Sequence, residues 1–263
     1  MTTRQETTKP APLLTLEGVE KRFGGVVALS GLSFAISSGE IVGLIGPNGS
    51  GKSTCVNVIT GTYAPTDGRI LLAGEDLAGL AADERVRRGL GRTFQTTSLF
   101  PEFTALENVV AASHSRYETV PFRSVVDRRK GRSDDAAFIG RAREILAFVG
   151  LEGGANRVAG TLSSAQQRLL MIANALATEP RLILLDEPAA GMVAGERREL
   201  SSLIRRIRDR GVSVLVIEHH MALIMEVCDR IVVLNFGQKI AEGAPKVVGQ
   251  DRRVIEAYLG EAH

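Results

Sequence analysis

Long apolar runs are missing from this 263-residue sequence. No stretch approaches the ~20 residues that a membrane-spanning helix needs, so any approach to a membrane is expected to go through a partner. Residues Met1 to Pro12 are polar, carry no apolar segment of the kind a secretory leader requires, and are expected to form a loose tail. Cysteine is scarce: Cys55 and Cys228 lie far apart and make no CxxC pair. That spacing argues against a zinc site, and their apolar surroundings suggest two small core residues. Excess charge is missing too. With 32 Lys and Arg against 30 Asp and Glu, the net charge is +2, which removes the electrostatic case for nucleic acid as a partner. No internal repeat is visible.

What remains is an ordinary globular composition, 44% hydrophobic and 24% charged, long enough for one large domain or a domain carrying an insertion. Leu14 and Leu16 alternate with polar neighbours, as do Leu32, Phe34 and Ile36, which predicts two half-buried strands. Ile41 to Ile45 is a nearly continuous apolar run, the pattern of a strand covered on both faces. A glycine-rich loop follows, then a helix from about Lys52 to Thr60 that Gly61 stops. Pro65 to Gly68 reads as a turn and Ile70 to Ala73 as a strand. From about Thr96 to Leu162 helical patterns dominate, as in Ala142 to Val149. They are interrupted by a polar stretch, Arg116 to Asp135, with a basic cluster at Arg123, Arg128, Arg129, Lys130 and Arg132. That stretch is expected to be a solvated loop, with attraction to an anionic membrane surface as the alternative. An α/β rhythm returns after Ser163: a helix to about Ala177, strands at Leu182–Leu185, Val212–Ile217 and Ile231–Leu234, and a helix whose Leu200, Leu203, Ile204 and Ile207 share a face, ending at Gly211. The fold class expected is α/β with a mostly parallel sheet and a helical insertion.

Two segments carry chemistry. Gly46-Pro47-Asn48-Gly49-Ser50-Gly51-Lys52-Ser53 matches G-x-x-x-x-G-K-[ST] in full and lies between a buried strand and a helix. Glycines let backbone N–H groups converge on phosphate oxygens, and the helix N-terminus adds partial positive charge. Lys52 is expected to neutralise terminal phosphates, the Ser53 hydroxyl to bind Mg²⁺, and Thr54 to add a phosphate contact. Leu182-Ile183-Leu184-Leu185-Asp186-Glu187 is an apolar strand ending in two carboxylates. It carries Asp186 to the sheet edge, where the side chain can hold Mg²⁺ through water, and leaves Glu187 as the candidate general base.

With Leu162-Ser163-Ser164-Ala165-Gln166 placed just before that acidic strand, these residues resemble the ABC-family ATPases, whose signature there is LSGGQ. The resemblance runs from about Leu13 to Leu259. It implies a P-loop NTPase core with an antiparallel β subdomain and an α-helical subdomain: a tail at 1–12, a nucleotide-binding core at 13–95 and 163–263, and a helical subdomain at 96–162. It implies that Gln95 is the glutamine linking the Mg²⁺ site to the helical insertion, that His219 contacts the γ-phosphate, and that Phe23 stacks on adenine. Phe23 as plain core is the competing reading. The segments Arg22-Phe23-Gly24-Gly25, Arg92-Thr93-Phe94-Gln95, Glu187-Pro188-Ala189-Ala190-Gly191 and Ala257-Tyr258-Leu259-Gly260 are similar to the ATPases of branched-chain amino-acid type importers.

That likeness implies ATP and Mg²⁺ as ligands. The implied partners are a second ATPase subunit or a second copy of this chain, transmembrane permease subunits, and an extracytoplasmic solute-binding protein. It also implies a place at the cytoplasmic face of the cell membrane, held there by the permease. In such pairs each ATP lies between one subunit's phosphate loop and the other's signature, so Ser163, Ala165 and Gln166 are expected to face the partner's nucleotide. Ser163 and Gln166 form an S-x-x-Q capping pattern that opens a helix. Three positions depart from the family: Ala165 replaces the second glycine of the signature, Val193 replaces a common Asp or Asn, and His220 replaces a common Asp. Ala165 and Val193 would fall on one composite site, which suggests an asymmetric heterodimer. Leu99, Phe100 and Phe103 either line a permease groove or fill the core of the helical lobe. The competing functions are a non-transport ATPase of DNA repair or translation, and a nucleotide-binding regulatory subunit with weak hydrolysis. Neither a second cassette, a zinc motif nor a long coiled coil supports the first of these.

Overall fold

A computed structural model describes residues 12–93, 99–114 and 128–259, with the backbone alone described at 114 and 128–135. The elements, in chain order, are β1 Pro12–Phe23, β2 Val26–Ser37, β3 Ile41–Ile45, α1 Lys52–Ile59, β4 Asp67–Leu72, β5 Glu75–Asp76, α2 Ala82–Arg87 and β6 Leu90–Arg92. Then come α3 Ala105–His114, α4 Arg128–Val149, α5 Ser164–Ala177, β7 Leu182–Asp186, α6 Ala194–Asp209, β8 Ser213–Ile217, α7 Met221–Val227, β9 Arg230–Asn235, β10 Gln238–Gly243, α8 Pro245–Val248 and α9 Arg252–Leu259.

The central sheet has the order β10-β9-β3-β8-β7-β6. Its strands are parallel except for β10, which pairs antiparallel with β9. Side chains alternate across a strand, and here both faces are covered. Ile41, Ile45, Ile183, Leu185, Val214, Val216, Ile231 and Val233 join one core, with the helices α5, α6 and α7. Their neighbours Val42, Leu44, Leu182, Leu184, Leu215, Ile217, Val232 and Leu234 join a second core, with α1 and a four-stranded antiparallel sheet of order β2-β1-β4-β5. Double coverage is why these strands read as unbroken apolar runs. The half-buried β1 and β2 alternate instead, because one face of their sheet meets solvent.

Helices α3, α4 and α5 pack together around Ala105, Val109, Ala142, Leu146 and Leu170, all buried. Thr104 opens α3 with a capping box: its hydroxyl accepts from the Glu107 N–H at 3.2 Å, and the Glu107 carboxylate accepts from the Thr104 N–H at 2.7 Å. Asn108, buried, bonds to both backbone groups of Phe100 and so sets the loop before the helix.

Several expectations need correction. The loop expected to reach Asp135 ends earlier, because α4 already begins at Arg128; few apolar residues mark that first turn in the sequence. Arg123 lies outside the described residues, as do the side chains of Arg128, Arg129, Lys130 and Arg132. Pro12, assigned to the tail, pairs with Ser37 in β1, and β4 starts at Asp67, inside the expected turn. Phe23 is 42% exposed, and Phe100 and Phe103 are exposed and stacked with ring centroids 5.0 Å apart, so none of the three is core; Leu99 alone packs partly against it. Both cysteines are buried as expected, and burial pushes each thiol up to about 12.

One buried charge organises the join between α1 and the antiparallel sheet. The Arg85 guanidinium, 3% exposed, donates to the carbonyls of Val58 at 2.9 Å, Ile59 at 2.7 Å, Leu77 at 2.9 Å and Leu80 at 3.2 Å. Two of these belong to the last turn of α1, whose carbonyls have no partner within the helix and which carries partial negative charge. A Cβ at Gly61 would lie 2.7 Å from Arg85 Nε at a φ of +82°. That glycine therefore both ends the helix and leaves room for the guanidinium. Arg85→Leu should destabilise the chain by about 3 kcal/mol, since it strands buried carbonyls. Arg85→Lys should recover only part, because one ammonium cannot reach four carbonyls. Urea unfolding of the three proteins checks both.

Candidate functional site

The parallel strands β3, β8 and β7 lie side by side, and their C-terminal ends bring three loops together, as open α/β sheets do at their ligand crevices. The first is the glycine loop between β3 and α1. Gly46 has φ +151°, and a Cβ there would lie 2.1 Å from the Leu234 carbonyl and 2.6 Å from Ser50 Oγ. Only glycine fits. The turn between β9 and β10 supports the loop from below: the Gly237 N–H donates to the Ser50 carbonyl at 2.9 Å, and the Gly237 carbonyl accepts from the Ser30 N–H at 2.9 Å. The Lys52 ammonium folds back over the loop and donates to the carbonyls of Gly46 and Pro47, both at 2.7 Å.

A cavity of about 390 Å³ opens above this loop. Asn48, Gly49, Gly51, Lys52, Ser53 and Thr54 line it, and so does Glu187 from the end of β7. The two segments therefore meet. Glu187 has a φ of +48°, which is uncommon for a residue with a side chain. Its N–H donates to the Ile217 carbonyl at 2.8 Å, which fixes this turn against β8. His219, on the loop after β8, places Nδ1 3.9 Å from Glu187 Oε1. Phe23 stands across its hairpin turn from Val26, which lines the cavity. Its ring meets Tyr63 edge-on at 5.1 Å, with the Lys21 ammonium 4.9 Å above it. Phe236, 85% exposed, lines the cavity from the β9–β10 turn; no periodic pattern in the sequence marks it.

Asp186 is set deeper, 3% exposed. Its Oδ2 accepts from Arg92 Nη2 at 3.2 Å, and the same guanidinium donates to Asn57 at 2.8 Å and Thr60 at 3.2 Å. Burial pushes the Asp186 carboxyl above the usual range; Arg92 opposes this, while the charges of Glu187 and Glu218 add to it. Such a carboxylate is poised for a cation. The Ser53 hydroxyl and Asp186 carboxylate are hard oxygen donors, the chemistry that suits Mg²⁺. Gln95, expected to complete that set, lies outside the described residues.

The signature residues stand apart from this cavity, at the start of α5. Ser163 Oγ accepts from the Gln166 N–H at 3.2 Å, and Gln166 Oε1 accepts from the Ser163 N–H at 3.1 Å, the reciprocal cap that the S-x-x-Q spacing predicts. Ala165 is partly buried against the adjoining core. Arg168, one turn on, donates to the carbonyls of Ala190 at 2.9 Å and Glu187 at 3.2 Å, tying this helix to the loop after β7. Val193 is exposed and precedes α6; its N–H donates to Glu196 at 3.0 Å, but valine supplies no oxygen to return the bond.

The chain matches two family models, one described as ABC transporter over residues 29–190 and one as branched-chain amino acid ATP-binding cassette transporter over residues 238–263. It is 42% identical to the high-affinity branched-chain amino acid transport ATP-binding protein BraF of Pseudomonas aeruginosa, over 95% of this chain and 99% of that protein. Among solved structures it is similar to the ADP conformation of MJ1267, an ATP-binding cassette of an ABC transporter. There the TM-score is 0.82 at 33% identity, covering 95% of this chain and 99% of that one. It is also similar to a dimeric post-hydrolysis state of the ATP-binding cassette MJ0796 bound to ADP and Pi, with a TM-score of 0.75 at 29% identity, covering 88% and 98%.

Gly46→Ala should lose any thermal stabilisation by added Mg-ATP, and should lower intrinsic stability by about 2 kcal/mol, because the methyl group collides with the Leu234 carbonyl. Thermal unfolding with and without Mg-ATP separates the two effects.

Proposed function

Because the chain belongs to the ABC transporter family of ATP-binding cassettes, we propose that it is the ATP-hydrolysing motor of an importer for branched-chain amino acids or related small polar solutes. One observation supports the catalytic part above the others: the glycine loop and Glu187 line a single cavity, with His219 beside the carboxylate. The likeness to BraF along nearly the whole chain, together with the family match at residues 238–263, supports the solute class.

ATP is the substrate. Its phosphates meet the backbone N–H groups from Asn48 to Thr54, and the Lys52 ammonium leaves its two carbonyls for the more negative phosphate oxygens. Phe23, exposed and already paired with Tyr63, offers a ring to adenine. Glu187 accepts a proton as a water oxygen attacks the γ-phosphorus and the bond to ADP breaks. The His219 imidazole holds the γ-phosphate against that water. When bound, Mg²⁺ neutralises phosphate charge; Ser53, Asp186 and Gln95 are the side chains suited to hold it.

Two such subunits pair face to face, each closing the other's nucleotide with Ser163, Ala165 and Gln166. Ala165 and Val193 both weaken the site that this chain completes for its partner, which favours an asymmetric heterodimer over self-pairing. The permease docks in a second cavity, of about 370 Å³, between α2, β6, α3 and α5. Phe100 borders it, and Arg92 reaches from its wall to Asp186. Movement of a permease segment there is passed to the metal carboxylate through one guanidinium. Among the described residues no helix is long and apolar enough to cross a membrane, and the motor is held at the cytoplasmic face through the permease. The solute reaches that permease from an extracytoplasmic binding protein.

A regulatory subunit with weak hydrolysis would not need a carboxylate and an imidazole brought together at the phosphate loop. Glu187→Gln in the assembled transporter should lower ATP turnover by about 100-fold or more, the scale of a lost general base, while nucleotide binding persists. Steady-state hydrolysis beside equilibrium ATP binding makes the check; a variant retaining most of its turnover would overturn the assignment.

A further inference from the structure

Glu218 has no part in the reaction above, yet it is 1% exposed at the end of β8. Its Oε1 accepts from the Ala189 N–H at 2.8 Å. Its Oε2 accepts from the N–H groups of His219 at 3.0 Å and His220 at 3.1 Å. Two imidazoles come to this fixed oxygen. His220 Nδ1 lies 3.2 Å from Oε2 and His219 Nδ1 lies 3.8 Å from it, with the two rings 4.5 Å apart. The three ligand atoms all fall within 4.8 Å of one another.

A tetrahedral zinc ion with bonds of about 2.1 Å sets its ligand atoms about 3.4 Å apart; the two nitrogen-to-oxygen spacings already bracket that value, and rotation of the exposed His219 ring brings the two nitrogens, within 4.8 Å of one another, to it. The backbone N–H groups that hold the carboxylate act as the outer shell that orients a metal ligand. Two imidazoles select against Mg²⁺, which prefers oxygen, and in favour of zinc-class ions. We propose that Glu218, His219 and His220 form a site for a zinc-class divalent cation, and that filling it brakes ATP hydrolysis.

The cation takes the Nδ1 lone pairs of both histidines; the proton that His220 Nδ1 shares with the Glu218 carboxylate in its absence passes by way of solvent to Nε2, or is released to solvent where Nε2 already holds one. It holds His219 to Glu218 and away from the phosphates. It also adds positive charge beside Glu187, whose Oε1 is 3.9 Å from His219 Nδ1. The brake, though not the binding, rests on the roles proposed for Glu187 and His219. Cys55 and Cys228 offer little competition, being buried with their thiols pushed up to about 12.

His220 supplies the test, since it takes no part in nucleotide chemistry. Zinc is titrated calorimetrically into the full chain without nucleotide and in excess Mg²⁺. The expected result is one strong site, weakened at least about tenfold in His220→Asn, the scale of a lost metal contact. His220→Gln replaces it if His220→Asn does not fold. ATP turnover is then followed at buffered free zinc. The wild-type chain should be inhibited and restored by chelator, while His220→Asn keeps basal turnover and resists. Absent zinc binding, or binding that His220→Asn leaves unchanged, overturns the site. Binding that depends on His220 but leaves turnover untouched overturns the brake, and counts against the His219 role on which it rests.

Discussion

Acidic side chains crowd the ends of β7 and β8, and the site depends on how each is held. Asp186, Glu187 and Glu218 fall within a few residues of the same end of the sheet; Asp186 and Glu218 are buried, where like charges repel strongly, and Glu187 is half-buried. Each is compensated differently. Asp186 takes the Arg92 guanidinium, Glu218 takes three backbone N–H groups, and Glu187 faces the cavity with His219 beside it. Compensation at Asp186 is incomplete, since its carboxyl still sits above the ordinary range. The opposite wall has the reverse need: the glycine loop offers N–H groups and an ammonium for an anion. A magnesium polyphosphate answers both walls at once.

Arg92 gives this electrostatic arrangement a second use. It lines the cavity that receives the permease in the proposed assembly, and its guanidinium reaches the buried Asp186, one residue before the Glu187 that lines the other cavity. Arg168 makes a parallel link on the far side, from the signature helix to the backbone of Glu187. Among the described residues an arginine side chain thus links each of the two surfaces, through which a transporter would act on this chain, to the acidic strand end.

Much of this was legible in the sequence. The strands β3, β7, β8 and β9 announce themselves because both faces of the central sheet are covered, and apolar runs of about five residues are too short for a buried helix. The glycine loop and the Ser163–Gln166 cap are local motifs whose geometry follows from short-range bonding. What escaped was non-local or too short. Strand β6 has three residues, below any periodic signal. Arg85 and Glu218 look like surface charge, and only the folded chain shows Arg85 caged by carbonyls that include those of Val58 and Ile59, and Glu218 held by the distant Ala189 N–H as well as by its two neighbours. The first turns of α4 lack an apolar stripe, so the sequence there reads as loop. Phe23, Phe100 and Phe103 carry the same apolar rings whether buried or exposed, and composition cannot separate the two.

A structure of the chain with ADP and Mg²⁺ tests the central claim most directly. The account predicts that Lys52 Nζ abandons the Gly46 and Pro47 carbonyls for the terminal phosphate, with Ser53 and Asp186 as side chains that would hold the metal. A nucleotide seated elsewhere, with the lysine still folded on its own loop, would contradict it.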